Sequence, residues 1–435
     1  MDDVSPALSP AYPFPGPGAP IPLHHGALVV GGRSLPGRID FRLHPRLDAV
    51  WTVEPNRHRL RGGDAHITIE HPLGTITTTS QRRSSTDGSL GPVEIGPADA
   101  PLQRVVTHWV NLHALPGTDD INDGSSTFTG RWSADLDGWA VVLDRRSDHK
   151  DVWSRIKTGG TTEVTHVMEI RRSDGSLFTA EEAGPLLDAL HLGLSFAVGR
   201  WVAPILPVGF DVHGKRVWEQ WATPHCTPGA PGALTWWFDQ RGWELEELLR
   251  LLVARFADPS RRFSTRFLLA SAILSAAGGF VEQRIMTAAA ALEHLTWTAL
   301  VVDGSTSKTA YEKIEPTFER LAKVGAEASI VGKLEETVTP ALYGFAQSRE
   351  PDRRTAPAVL HAVRNMIVHP TGHEEKLYRK YPGLVTETWL LAQHYLVLLI
   401  LHHLGYCGAY QSQLKPAGWA GDVELVPWAE APADS

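Results

Sequence analysis

Ala362-Val363-Arg364-Asn365-Met366-Ile367-Val368-His369-Pro370 sets an Arg and a His five positions apart, with an Asn beside the Arg. The apolar residues Val359, Leu360, Val363, Met366 and Ile367 recur at spacings of three and four, which predicts one buried stripe along a helix over 356–369. Pro370 disfavours helical dihedrals for the residue before it, so His369 is expected at the last turn or just past it. On a straight helix Asn365 and His369 share a face, whereas Arg364 and His369 are offset by about 140°. A helix ending at His369 would let the imidazole swing back while the long Arg stem reaches round to meet it. A cation that grips phosphate, beside a group that titrates near neutrality, is chemistry suited to cutting RNA.

Spacing alone does not single this pair out. Arg61 and His66 repeat it in a strand-like, Gly-rich stretch, and six residues separate Arg354 from His361. What sets the later pair apart is its setting. From 260 onward the periodicity is helical: Phe263–Ala277, Val281–Leu300, weaker helices over Lys308–Leu321 and Ile330–Phe345, then 356–369 and a closing helix over Leu384–Leu404. Between Arg349 and Lys380 there are seven Lys or Arg against four acids, a local cationic excess in a chain of net charge −8. That excess suits a phosphate-bearing ligand, and a solvated loop would look the same on charge alone.

The chain before 260 has a different rhythm. Short or alternating apolar runs (Ala27–Val30, Gly37–Leu43, Ala49–Val53, His66–Glu70, Gly74–Thr79, Val105–Leu112, Ser126–Ser133, Trp139–Leu143, Val164–Arg171) are punctuated by Gly31-Gly32, Gly62-Gly63, Asp87-Gly88 and Asp174-Gly175. This pattern predicts a β-sandwich or distorted barrel. Thr179 and Glu182 form a capping box that opens a helix through Leu194, after which Ala203–Phe210 and Val217–Trp221 return to strand, with Leu234–Phe238 as a last candidate. A helix over Leu245–Ala257 leads into the second half. Eleven of the 15 Trp precede residue 260, and aromatic residues in β structure more often fill its core than line a groove for sugars.

These observations give an α+β chain: a Pro-rich tail over 1–26, a β-rich domain over 27–258, an all-α bundle over 259–410 and an irregular tail over 411–435. Seven prolines before residue 27 account for the first tail. Cys226 and Cys407 are distant and form no CxxC, which fits a reducing cytoplasm and argues against a disulfide framework or a cysteine zinc site. The N-terminus lacks the pattern of a signal peptide. Residues 388–413 carry no charged side chain, but the unbroken apolar run Tyr395–Leu401 is too short for a bilayer, so a buried helix is expected. His361, His369 and His373 lack the acidic partner and spacing of a metal site. Gly209–Arg216 approaches a P-loop but has Arg216 where the magnesium ligand belongs, and reads as a hairpin turn.

Arg-Asn-x-x-x-His near the C-terminus, behind a helix carrying Ala291-Leu-Glu293-His-Leu295, resembles the HEPN domains, compact helical ribonuclease or nucleotide-binding modules. The resemblance covers roughly 263–410. The placing of a β-rich region before it is similar to the ApeA-like anti-phage proteins. The resemblance implies a metal-independent endoribonuclease without cofactor, acting on RNA (tRNA among the candidates) as a homodimer in which two motifs face each other. In that scheme His369 moves the proton, Arg364 holds the phosphate, Asn365 orients His369 or donates to a phosphate oxygen, and Glu293 braces Arg364 or His369. The N-terminal domain would sense a trigger or restrain the nuclease. The alternative is a non-catalytic dimerisation module with a ligand-binding β domain; a third, weaker one is a carbohydrate-binding sandwich.

Overall fold

The computed structural model describes residues 4–54, 65–117, 119–239, 241–314, 318–415 and 422–429. Arg61, the turn Gly62-Gly63 and Trp419 lie outside them. The chain is α+β and forms two compact units, Met1–His191 with Trp201–Pro231, and Leu192–Arg200 with Gly232–Ser435.

The first unit begins with β1 (Ser5–Pro6), followed by β2 (Ile21–Val30), β3 (Arg33–Arg42), β4 (Asp48–Val53), β5 (Ala65–His71), β6 (Gly74–Arg82) and β7 (Asp87–Leu90). Strands β2 to β7 close into a barrel in the order β2-β3-β4-β7-β6-β5. The β2–β3 hairpin turns through Gly31 and Gly32, both at positive φ (59° and 77°), which is what a two-residue type I′ turn demands. Along β6, Ile76, Thr78 and Ser80 alternate inward between exposed neighbours, the period of a strand with one wet face. Trp51 is fully buried, and its indole N–H donates to Ser80 Oγ at 2.6 Å.

The remaining strands, β8 (Val93–Ile95), β9 (Arg104–Val110), β10 (Asp119–Asn122), β11 (Thr127–Asp135), β12 (Trp139–Arg145), β13 (Val164–Arg172), β14 (Ala203–Phe210) and β15 (Arg216–Trp221), join β1 in a nine-stranded sheet ordered β1-β10-β11-β12-β13-β9-β14-β15-β8. Its central strands β9 and β13 are buried almost throughout. Val106, Val110, Val167, Ile205 and Val208 of the sheet share one hydrophobic cluster with Leu28, Ile39, Phe41 and Ile69 of the barrel. The unit's fold therefore combines a barrel and an open sheet around one core. Helix α1 (His149–Gly159) follows β12, and α2 (Ala180–Ala197) opens on the expected capping box: Thr179 N–H donates to the Glu182 carboxylate at 2.8 Å and Glu182 N–H to Thr179 Oγ1 at 3.3 Å.

Two expectations for this region need correction. The Pro-rich segment is not a loose tail over its described part: residues 21–26 belong to β2, and Tyr12 and Ile21 are buried. Tyr12 donates its hydroxyl to the Glu219 carboxylate, accepts from the Trp221 indole at 3.2 Å, and offers its carbonyl to His108 Nε2 at 2.9 Å. One aromatic anchor with a saturated polar end outweighs the looseness that proline content suggests. Leu234–Phe238 forms no strand; Trp236 and Trp237 are buried there as irregular chain, and Gly209–Arg216 is the hairpin turn between β14 and β15.

The second unit is helical: α3 (Gly242–Ala257), α4 (Pro259–Ala277), α5 (Val281–Trp297, continuing into a π-helical turn at Thr298–Val302), α6 (Lys308–Lys313), α7 (Phe318–Glu327), α8 (Pro340–Gln347), α9 (Ala356–Val368), α10 (Glu374–Lys380) and α11 (Leu384–Leu404). Helix α3 belongs here rather than to the β-rich half. Leu391, Leu396, Leu398, Leu399 and Leu401 make α11 the core element, with Gln393 and Trp389 donating to the carbonyls of Ala272 and Ser275 on α4 at 3.0 and 2.7 Å. The segments Val281–Val302 and Leu384–Leu404 are long and apolar enough to cross a membrane by length and composition alone, yet 50% and 72% of their most apolar windows are buried inside the protein.

The expected helix over Lys308–Leu321 ends at Lys313, because Ile314 is extended, and a second helix starts at Phe318. The one expected over Ile330–Phe345 starts only at Pro340, which fits a first helical position and not an interior one. Past the bundle, the expected irregular tail contains a small ribbon of β16 (Ala409–Gln411) and β17 (Val423–Leu425), and the Trp428 indole donates to Tyr406 O at 2.7 Å.

Candidate functional site

Helix α9 carries the decisive stretch. Ala358, Val359, Leu360 and Val363 are buried, whereas His361, Arg364 and Asn365 are half-buried on its other side. The helix ends as Pro370 requires: His369 has φ −123° and ψ 74°, and its N–H closes the last turn on Asn365 O at 2.8 Å.

The side chains do not pair as the spacing suggested. Arg364 Nη1 donates to Asn365 Oδ1 at 3.0 Å, and Asn365 Nδ2 lies 2.8 Å from His361 Nε2. A guanidinium can only donate, so Asn365 must turn its oxygen to Arg364 and its amide N–H₂ to His361. His361 Nε2 is then a lone pair, and the ring is the neutral Nδ1–H tautomer. Asn365 therefore orients His361, one helical turn back, and not His369. Helical side chains lean toward the N-terminus, which carries Arg364 and Asn365 away from His369. His369 is exposed past the last turn, and its imidazole meets no partner among the described residues.

The ring of His361 packs 5.9 Å from Phe318 of α7, centroid to centroid. Burial holds its pKa below the usual histidine value, and the nearby cations Arg364, Arg349 and Arg353 push it the same way; Glu293 of α5 opposes them. Glu293 is exposed and makes no hydrogen bond or ion pair with Arg364 or His369 among the described residues, so the bracing role expected of it is not seen. Its place is electrostatic, as the acid facing His361. Arg349 follows α8 with its guanidinium 5.4 Å from the Phe345 ring centre, and burial lowers its pKa; Arg353 is exposed in the turn Pro351–Arg353. Arg354 is spent on structure, donating to Arg349 O at 3.0 Å and Gln347 Oε1 at 3.2 Å.

Around the contacts that join Arg364, Asn365 and a neutral His361, Arg349 and Arg353 are near enough to act on the imidazole electrostatically, with Glu293 as counter-charge. Such a set can hold a phosphate ester by charge-assisted donors. Sequence reasoning passed over His361, although its i, i+4 spacing from Asn365 on a predicted helix was a usable signal. Among the described residues no group of three His, Cys, Asp or Glu is gathered so as to hold a metal ion, and His361, His369 and His373 form no such group.

The fold and site define a class: a two-part α+β chain with a barrel-and-sheet unit and a helical unit bearing a cationic, imidazole-containing site. Residues 97–231 match the family described as the YopA central domain, and residues 270–425 match the YopA C-terminal domain. The chain is also 29% identical to the SPbeta prophage-derived uncharacterized protein YopA of Bacillus subtilis (strain 168), over 79% of this chain and 78% of that protein. No solved structure matches significantly. The first match begins after the barrel strands β2 to β7 and spans most of the nine-stranded sheet, and the second runs from within α4 past the end of α11, so the site lies within the second. These matches carry the YopA name, and the HEPN and ApeA resemblances have no counterpart among them.

Proposed function

We propose that the helical unit is a HEPN-type bundle that binds RNA at the Arg364 cluster and cleaves it without a metal ion. The observation that carries this is the relay Arg364–Asn365–His361 set beside Arg349 and Arg353 in a chain of net charge −8. Strand scission by 2′-hydroxyl attack needs cationic donors on the phosphate and groups that move protons near neutrality. Arg364 supplies the first. His369, exposed and unpartnered, is the proton carrier free to approach a substrate held there. The working form is a homodimer in the cytoplasm that brings two such sites together, with the barrel-and-sheet unit as sensor or restraint. The prophage origin of the YopA relative fits a role in conflict between phage and host.

The test is RNA cleavage in EDTA by wild type, Arg364→Ala and His369→Ala, on total RNA and tRNA. Cleavage that persists in chelator and falls at least a hundredfold in both variants is the expected result. An unchanged rate in His369→Ala would sink the catalytic assignment. The exposed, unpartnered state of His369 also favours a second reading, a non-catalytic RNA-binding module, in which wild type binds RNA and leaves it intact.

A further inference from the structure

We propose that His361 is a positioning residue for Arg364: by accepting from Asn365 it fixes the amide so that the oxygen holds the guanidinium toward a bound phosphate ester. This rests on the assignment of Arg364 to an RNA-binding site. It adds a residue outside the Arg-Asn-x-x-x-His motif.

The geometry leaves one arrangement of protons. Asn365 must present oxygen to Arg364, since the guanidinium has no acceptor, and its N–H₂ must then meet an acceptor at His361 Nε2. Protonation of His361 would turn that acceptor into a donor facing a donor. Asn365 would have to turn over and present its N–H₂ to Arg364, which has nothing to accept it. The acid form of His361 therefore releases Arg364. The charged groups that act on the imidazole are Arg364 on its own helix, Arg349 after α8, Arg353 in the turn that follows and Glu293 on α5, and the Phe318 ring of α7 packs against it. Partial burial, and then three cations against one acid, keep the ring neutral at physiological pH. The other ring nitrogen, Nδ1, is buried and meets no partner among the described residues, so Nε2 carries the polar role.

This makes an uncommon pH signature. Simple charge attraction predicts that protonating a histidine beside a phosphate tightens binding. The relay predicts the reverse, because the lost grip of Arg364 accompanies the gained charge.

The experiment is fluorescence anisotropy of the full chain with a 2′-O-methyl RNA oligonucleotide, which cannot be cleaved. Wild type, His361→Phe, His361→Gln, Arg364→Ala and the double variant H361F/R364A would be compared from pH 5 to 8. Phe keeps an aromatic ring against Phe318 and removes the acceptor; Gln restores an acceptor through its amide oxygen. At pH 7.5 His361→Phe should weaken binding about tenfold, His361→Gln should restore most of it, and H361F in the Arg364→Ala background should cost nothing more. Wild-type affinity should fall on the acid side, and that fall should vanish in His361→Gln. Additive losses in the double variant, or wild-type binding that only tightens in acid, would overturn the inference and leave Arg364 in the site. Unchanged binding in Arg364→Ala, or no binding by wild type, would overturn the RNA-site assignment itself and the inference with it. Thermal melts of each variant separate local effects from unfolding.

Discussion

Arg131 and Asp144 stand directly opposite each other on β11 and β12, and the guanidinium grips the carboxylate with both arms, Nε to Oδ1 and Nη2 to Oδ2, each at 2.8 Å. The same carboxylate accepts the backbone N–H of Leu8 at 2.7 Å, and Arg131 also donates to Pro6 O at 2.8 Å. This pair ties the N-terminal segment around β1 onto strands β11 and β12 of the sheet. The Asp144 side chain is 4% exposed and that of Arg131 15%, so removing the carboxylate leaves a largely buried cation and an unpaired amide. Asp144→Ala should destabilise the β-rich unit by about 3–5 kcal/mol, read as a lower urea midpoint.

Thr179 and Glu182 satisfy each other's backbone amides at the start of α2. Thr179→Ala removes one half of the box and leaves the Glu182 N–H to water. The expected loss is about 1 kcal/mol, and Thr179→Ser should recover most of it in the same denaturation assay.

How much of this could be read beforehand depends on whether local chemistry or distant packing decides. Gly31-Gly32, Thr179/Glu182 and Pro370 each act within a few residues, and the turn, the helix start and the helix stop lie where they direct. The apolar run of α11 likewise needs no partner to announce a buried helix. Tyr12 is the opposite case: its partners Glu219, Trp221 and His108 lie at least 96 residues away, and local composition argued for looseness. Barrel closure by β5 on β2 is non-local in the same way. At the candidate site, the motif names Arg364 and Asn365, whereas the histidine that Asn365 meets is His361 and not the expected His369, a consequence of side-chain lean that a spacing of letters does not convey.

Glu387 of α11 accepts from the backbone amides of Ala341 and Leu342 at 3.2 and 2.9 Å. Helix α8 begins with Pro340, and Thr339 makes no side-chain cap, so a carboxylate from another helix serves instead. Glu387→Ala should cost the helical unit about 1–2 kcal/mol, because the amides lose a charged acceptor. Glu387→Gln keeps an acceptor and should lose less. Hydrogen exchange at Ala341 and Leu342 would localise the effect, and a variant with wild-type protection there would refute the capping role.

Acid should unfold the β-rich unit before its carboxylates titrate. His108 and His149 are buried, each with its pKa pushed down to about 4, mainly by burial, and His166 lies well below the usual value for the same reason. Their rings are neutral in the folded state at neutral pH, and the unfolded chain would protonate them near 6.5. Between those values the unfolded state binds more protons, so stability is intact above about pH 6.5 and declines as pH falls toward 4. A shift of this size in one histidine corresponds to about 3 kcal/mol at the acid end. His149 stacks on Trp153 with centroids 5.8 Å apart, so tryptophan emission should follow the transition. Urea midpoints at pH 7.5 and 5.0 should differ strongly in wild type and less in His149→Phe, which keeps the stack and cannot be charged. Equal midpoints at the two pH values in wild type would show that these rings titrate normally and are not shielded as their burial requires.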